Sequence, residues 1–113
     1  MSEVVNGSEK GMATVIKALL QGAQFSPEHF MPQFLYSSDR FRVVFLCLEA
    51  GQEVPHHASG DASFYVVGGQ GIITLGQEEH PVAAGDLIVC PGGLSHSVKG
   101  VEKLALLVSV AQE

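Results

Sequence analysis

Positive charge is scarce in this chain. Only 6 of 113 residues are lysine or arginine against 12 aspartates and glutamates, a formal net charge of −6. The basic residues do not cluster, so the phosphate neutralisation that sequence-general nucleic-acid binding needs is missing. Long apolar runs are also missing. No stretch approaches the roughly 20 residues required to span a bilayer, and Met1–Gly11 lacks the apolar centre of a signal peptide. Membrane attachment is therefore not expected, and a cytoplasmic location is the default. Cysteine is limited to Cys47 and Cys90. Both lie in apolar runs with no neighbouring base in sequence, which points to buried reduced thiols rather than a nucleophile or a disulfide. No Gly-x-Ser-x-Gly elbow, phosphate-binding glycine loop or Cys-x-x-Cys pair is present.

What is present is apolar content and turns. The chain is 46% hydrophobic, so one small domain can bury a core without a disulfide or structural metal. Its 13 glycines and 5 prolines are scattered without a period, a pattern of many turns between short strands. Residues 1–11 are polar and read as a flexible terminus. Residues 12–39 read as an N-terminal extension packed on the rest. Within it Val15, Ile16, Leu19 and Leu20 suit either a helix or a short strand, and Pro27 and Pro32 bracket an irregular segment.

Residues 40–113 read as all-β. Phe41–Leu48 is apolar almost throughout, as expected of a strand covered on both faces by a barrel interior and by another element or subunit. Strands are expected at Ser63–Val67, Ile72–Leu75, His80–Val82, Asp86–Val89, Ser95–Lys99 and Leu104–Val110. Gly68-Gly69 should form a turn, and Gly76–Glu79 a hairpin connection. In the last strand Leu104, Leu106, Val108 and Val110 share one face.

The segment Gly85-Asp86-Leu87-Ile88-Val89-Cys90-Pro91-Gly92-Gly93-Leu94-Ser95-His96 carries the strongest motif. Glycine, five residues, proline, one residue, glycine, two residues and histidine resembles the second motif of the cupin superfamily. The motif's closing asparagine is replaced by Gly100. Upstream, Gly51, Pro55, His57 and Phe64-Tyr65-Val66-Val67-Gly68-Gly69-Gln70-Gly71 resemble the first cupin motif. Its second histidine falls on Ser59 and its glutamate on Ala62, with the loop between them one residue short. The resemblance covers residues 40–111 and is to small single-domain, RmlC-like conserved-barrel cupins. It implies an antiparallel double-stranded β-helix, or jelly-roll barrel, of six to eight strands that commonly pairs as a homodimer.

In intact members three histidines and the glutamate hold one divalent iron, manganese, zinc or nickel ion inside the barrel. The positions that match here are His57 and His96, with His56 adjacent as a third candidate ligand. Neighbours on a regular strand face opposite sides, so His56 and His57 both turn inward only if the strand bulges or bends. Asp61 is either a replacement carboxylate or a solvated loop residue. Phe64, Val66 and Val98 are candidate cavity residues, whereas His29 and His80 read as surface. Two functions from different classes follow. One is a small-molecule-binding module, metal-free, with histidines as polar anchors in an apolar cavity. The other is a metal-dependent dioxygenase, isomerase or decarboxylase acting on a small organic acid, sugar or phenolic compound. Whether the protein is an enzyme stays open at this point.

Overall fold

The computed structural model describes Glu3–Val5, as backbone, and residues 13–112. Among the described residues nine strands follow one another: β1 (Glu3–Val5), β2 (Val15–Lys17), β3 (Met31–Ser37), β4 (Phe41–Leu48), β5 (Glu53–His57), β6 (Ala62–Leu75), β7 (Glu78–Ala83), β8 (Leu87–Cys90) and β9 (His96–Ala111). A 3-10 turn at Leu19–Gly22 separates β2 from β3. Strands β3 to β9 form one antiparallel seven-stranded sheet in the order β3-β4-β9-β6-β7, with β5 added on β9 and β8 on β6. The expected all-β, jelly-roll architecture is the one found.

Two long strands fold this sheet over on itself. The C-terminal half of β9 pairs with β4, while its N-terminal residues, His96 to Lys99, pair with β5. Likewise β6 pairs with β8 through Ala62–Tyr65 and with β7 through Gln70–Leu75. The result is two leaves joined by β6 and β9. The junction contains Gly68-Gly69, which is not the expected turn but a set of register shifts inside a continuous strand. Gly69 sits at φ +78°, and a Cβ there would lie 2.1 Å from the Lys103 carbonyl oxygen. Only glycine meets both conditions, and bulging supplies the bend that closes a barrel. The expected break between Lys99 and Leu104 is absent for the same reason, because β9 crosses both leaves unbroken.

The main core fills the space between the leaves. Leu46, Leu48, Phe64, Leu104 and Leu106 from one leaf meet Ile73, Val82 and Val98 from the other. Each such side chain removed from water stabilises the fold by roughly 1.5–3 kcal/mol. The alternation along β9 is as the sequence implied: Leu104, Leu106 and Val110 face this core, while Ala105 faces a second one. That second cluster explains the doubly apolar β4. Phe45 and Cys47 point outward with Leu35 and Ala105, and Ile16, Leu19, Ala23 and Phe25 cover them. The cover on the outer face is therefore the chain's own N-terminal segment.

The boundaries expected for that segment need correction. The sheet begins at Met31 rather than Arg40, because Met31–Ser37 pairs with β4 from Cys47 back to Arg42. Alternating burial along β3, with Leu35 buried between exposed Phe34 and half-buried Tyr36, was masked in sequence by Pro32. Proline is tolerated there because β3 is an edge strand. Within residues 1–11, Glu3–Val5 pairs with β2, and the remainder lies outside the described residues. Cys47 and Cys90 are both buried and free.

Candidate functional site

A cavity of about 260 Å³ opens between the leaves. Its walls combine Phe34, Arg42, Val44, Leu46, Ala62, Phe64, Val108 and Val110 from one leaf with Val54, His57, His96 and Val98 from the other. Phe30, Ala58 and Ser59 close the rim. Phe64 and Val98, expected to line it, do so. Val66 does not; it is fully buried within the main core.

The two histidines reach this cavity by different routes. His96 begins β9 and lies two residues before Val98, so both side chains fall on the inner face. His57 gets there through a bulge. Along β5 the register runs from Val54 opposite Val98 to His57 opposite His96. Three residues on one strand therefore span two on the other. The extra residue puts Val54 and His57 on the same face, which a regular strand forbids. It falls at Pro55-His56, where proline cannot donate to the ladder in any case.

The bulge has opposite consequences for the neighbouring histidines. His57 and His96 are brought edge to face, with ring centroids 4.4 Å apart and planes at 62°. His56 is left exposed and off the cavity wall, where its Nε2–H donates to the Gly76 carbonyl at 3.1 Å. The third candidate ligand is thus not brought together with the other two. Phe64 completes the aromatic wall, 5.3 Å from the His96 ring.

Both paired imidazoles are held by their inner nitrogens. His57 Nδ1 lies 3.0 Å from the Pro55 carbonyl oxygen, and His96 Nδ1 lies 3.3 Å from that of Leu94. A carbonyl only accepts, so each Nδ1 carries a proton, and in the neutral form of either ring the lone pair is on Nε2. Cys90 Sγ sits 3.5 Å from His96 Nδ1. With that nitrogen protonated, the sulfur accepts from it, and the thiol proton faces the Leu94 and Pro91 carbonyls at 3.6 and 3.7 Å.

Electrostatics keep this corner neutral. Burial lowers the His96 pKa below its ordinary value; the Leu94 contact opposes that, and nearby His57 and His56 reinforce it. Burial, with a smaller contribution from Asp61, raises the Cys90 thiol. The Cys90–His96 contact is therefore a thiol beside a neutral ring rather than an activated ion pair. Cys90 and His96 are six residues apart and meet because the Pro91–Ser95 turn folds one back on the other.

That turn is the heart of the second motif. Gly93 takes φ +86°, and Leu94 N–H donates to the Pro91 carbonyl at 3.2 Å. Asp61 holds the turn from outside, its Oδ1 accepting from Gly92 N–H at 2.6 Å. Ser59 helps through its carbonyl, which accepts from Gly93 N–H at 3.0 Å. Asp61 is accordingly a turn-bracing carboxylate. His29 is exposed, and His80 is half-buried with Nε2 3.9 Å from Glu78, so neither belongs to the cavity.

The donor set can be weighed against the metal that the motif resemblance implies. Ala62 offers no donor, and the Ser59 hydroxyl donates to the Gly60 carbonyl at 3.0 Å. His56 is engaged by Gly76. Among the described residues no group of three or more histidine, cysteine, aspartate or glutamate side chains converges. Structural and catalytic sites for such ions use three or four protein donors. The residues present do not fit that ion.

The cupin domain family matches residues 44–110, which is more than half of the sequence. The chain belongs to the cupin family. No curated protein matches it. Among solved structures, it is similar to a conserved Streptococcus pyogenes protein of unknown function, SPY1581, at 29% identity and TM-score 0.81. That alignment covers 100% of this cupin and 96% of the other chain. An RmlC-like cupin from Desulfovibrio desulfuricans is 28% identical with TM-score 0.76, covering 83% of this chain and 92% of that one. TT1209 from Thermus thermophilus is 26% identical, again with TM-score 0.76, over 86% and 97% of the two chains. No helix among the described residues is long and apolar enough to cross a membrane.

Proposed function

We propose that this cupin is a small-molecule-binding barrel, with the His57–His96 pair as the polar anchor of an apolar cavity. The observation that carries the reading is the tethering of both rings. With each Nδ1–H on a backbone carbonyl, the Nε2 of each ring is left beside Phe64, and an imidazole nitrogen carrying a lone pair accepts hydrogen bonds from a hydroxyl or N–H. Ligand sites of this kind combine a mostly apolar wall with a few oriented polar groups. At about 260 Å³ the cavity falls below the roughly 300–1,000 Å³ of drug-sized sites, so its occupant is small.

Phenol is a suitable probe, since it pairs an apolar ring with one O–H donor. Titrated into ¹⁵N-labelled protein, it should shift resonances of residues around His57, Phe64, His96 and Val98. Binding should weaken in both His57→Ala and His96→Ala. Absence of saturable phenol binding by the unmodified protein overturns the reading. Metal content of protein purified without a histidine tag provides the second arm. Near-stoichiometric metal that disappears in His96→Ala would favour a metal-dependent enzyme instead.

A homodimer belongs to the same reading. Leu87 and Val89 are 60% and 66% exposed on β8, beside exposed Tyr65 on β6, an apolar surface suited to a second copy. Light scattering on the purified protein checks it; a monomer at all concentrations refutes it.

A further inference from the structure

The cavity's polar lining has a charge bias opposite to that of the chain. Twelve acidic residues outnumber six basic ones in the sequence, yet the lining contains Arg42, His57, His96 and Ser59 and no carboxylate. Asp61, the acidic residue nearest in sequence to Ser59, is turned to Gly92 N–H. Arg42 is exposed, and it makes no ion pair among the described residues. It stands on β4 with Val44 and Leu46 at alternate positions facing the cavity, on the leaf opposite His57 and His96.

We infer that the site takes a small monocarboxylate with an apolar body and a hydroxyl or N–H donor at its other end. This rests on the reading of His57 and His96 as ligand anchors. The carboxylate pairs with Arg42, whose guanidinium matches a carboxylate in a two-pronged, charge-assisted contact. The donor reaches an imidazole Nε2. Phe30, Phe34 and Phe64 contact the body between. A single negative charge is specified because one guanidinium neutralises one carboxylate. A second would face the net charge of −6 without a partner. An ammonium in its place would meet Arg42 with like charge.

Calorimetric titration with matched probes tests this: 4-hydroxybenzoate, the neutral 4-hydroxybenzamide, and the cationic tyramine. The expected order is 4-hydroxybenzoate tightest, by at least tenfold over the amide, and tyramine weakest. In Arg42→Gln the acid-over-amide preference should collapse, the acid losing at least tenfold more affinity than the amide; Arg42→Lys should retain part of the preference. Because Arg42 is exposed, both variants are expected to fold, and their melting temperatures provide the control. Equal binding of acid and amide, or a preference that survives Arg42→Gln, overturns the inference while leaving the phenol result standing. Absence of phenol binding by the unmodified protein as well overturns the underlying reading of the histidine pair.

Discussion

Gly100 occupies the position where the second cupin motif ends in asparagine, and restoring that asparagine should damage this protein. A Cβ built at Gly100 would lie 2.5 Å from the Glu49 carbonyl oxygen, 3.0 Å from Leu48 Cβ and 3.2 Å from Glu49 C. Two of these three atoms are backbone, which cannot rotate aside. Nor can β9 retreat easily. Gly100 N–H donates to the Gln52 carbonyl and Gly51 N–H to the Gly100 carbonyl, both at 2.9 Å, so separating the segments forfeits bonds worth about 0.5–1.5 kcal/mol each. The Gln52 amide further anchors the β4–β5 connection, accepting from Glu49 N–H at 2.9 Å and donating to the Ser26 carbonyl at 2.6 Å.

Overpacking of this kind costs about 1–3 kcal/mol, and a domain of this size loses about 4 °C of Tm per kcal/mol. Gly100→Ala and Gly100→Asn should therefore both melt about 4–12 °C lower by scanning calorimetry. Gly51→Ala is the control for conformation alone, since no atom lies within 4 Å of its Cβ but φ is +85°. Strain of the left-handed backbone should lower its stability by about 1–2 kcal/mol. If Gly100→Ala melts within 1 °C of the unmodified protein, the close approach of β9 to Glu49 is wrong. The missing asparagine would then need another explanation.

Other outcomes follow from the turn and the buried polar groups. Asp61→Ala removes the acceptor for Gly92 N–H and should destabilise by about 1–3 kcal/mol in urea titration, with faster hydrogen exchange at Gly92; Asp61→Asn should recover part of the loss. His96 has its folded-state pKa lowered by burial, so it contributes no penalty above the unfolded-state value near 6.5. Stability is lost as pH falls through that value towards the lowered one, because the unfolded chain then binds the proton first. His96→Phe should flatten the slope of stability between pH 7 and 5, and an unchanged slope would refute the assignment. Cys47 and Cys90 are buried with raised thiol pKa values. Both should resist a thiol reagent in native protein and react together on unfolding, and rapid labelling of Cys90 in the native state would contradict its burial.

The fold was legible wherever period and punctuation agreed. Phe41–Leu48 is legible because its apolar run, interrupted only by Arg42, ends before Ala50-Gly51, and both of its faces are covered. The reading failed where a glycine bends a strand without ending it. Gly68-Gly69 has the composition of a turn, yet β6 continues to Leu75 because β9 pairs with it on both sides of the bend. Local sequence cannot separate these cases, since the same positive φ serves a hairpin and a bulge. Met31–Ser37 was missed for a related reason. Its Pro32 forbids a central strand but permits an edge, and edge status is a property of the whole sheet.

The site was half legible, and the missing half lies in pairings that are distant in sequence. Motif spacing picked out His57 and His96, and elementary strand geometry required a bulge if His56 was to join them. A bulge is present, but it works the other way. The sequence constraint left two solutions, both histidines turned inward or the second inward and the first expelled. The Gly76 carbonyl, on the β6–β7 connection, is what holds His56 in the second. Arg42 carries no motif, being a lone arginine on an apolar strand, and its significance depends on which face of β4 meets the cavity. That face was already implied: Arg42 shares the parity of Val44, Leu46 and Leu48, so a core-facing Leu46 commits Arg42 to the same side. Strand alternation therefore places Arg42 beside the cavity from sequence alone, and the Arg42→Gln titration tests whether that charge serves the proposed carboxylate.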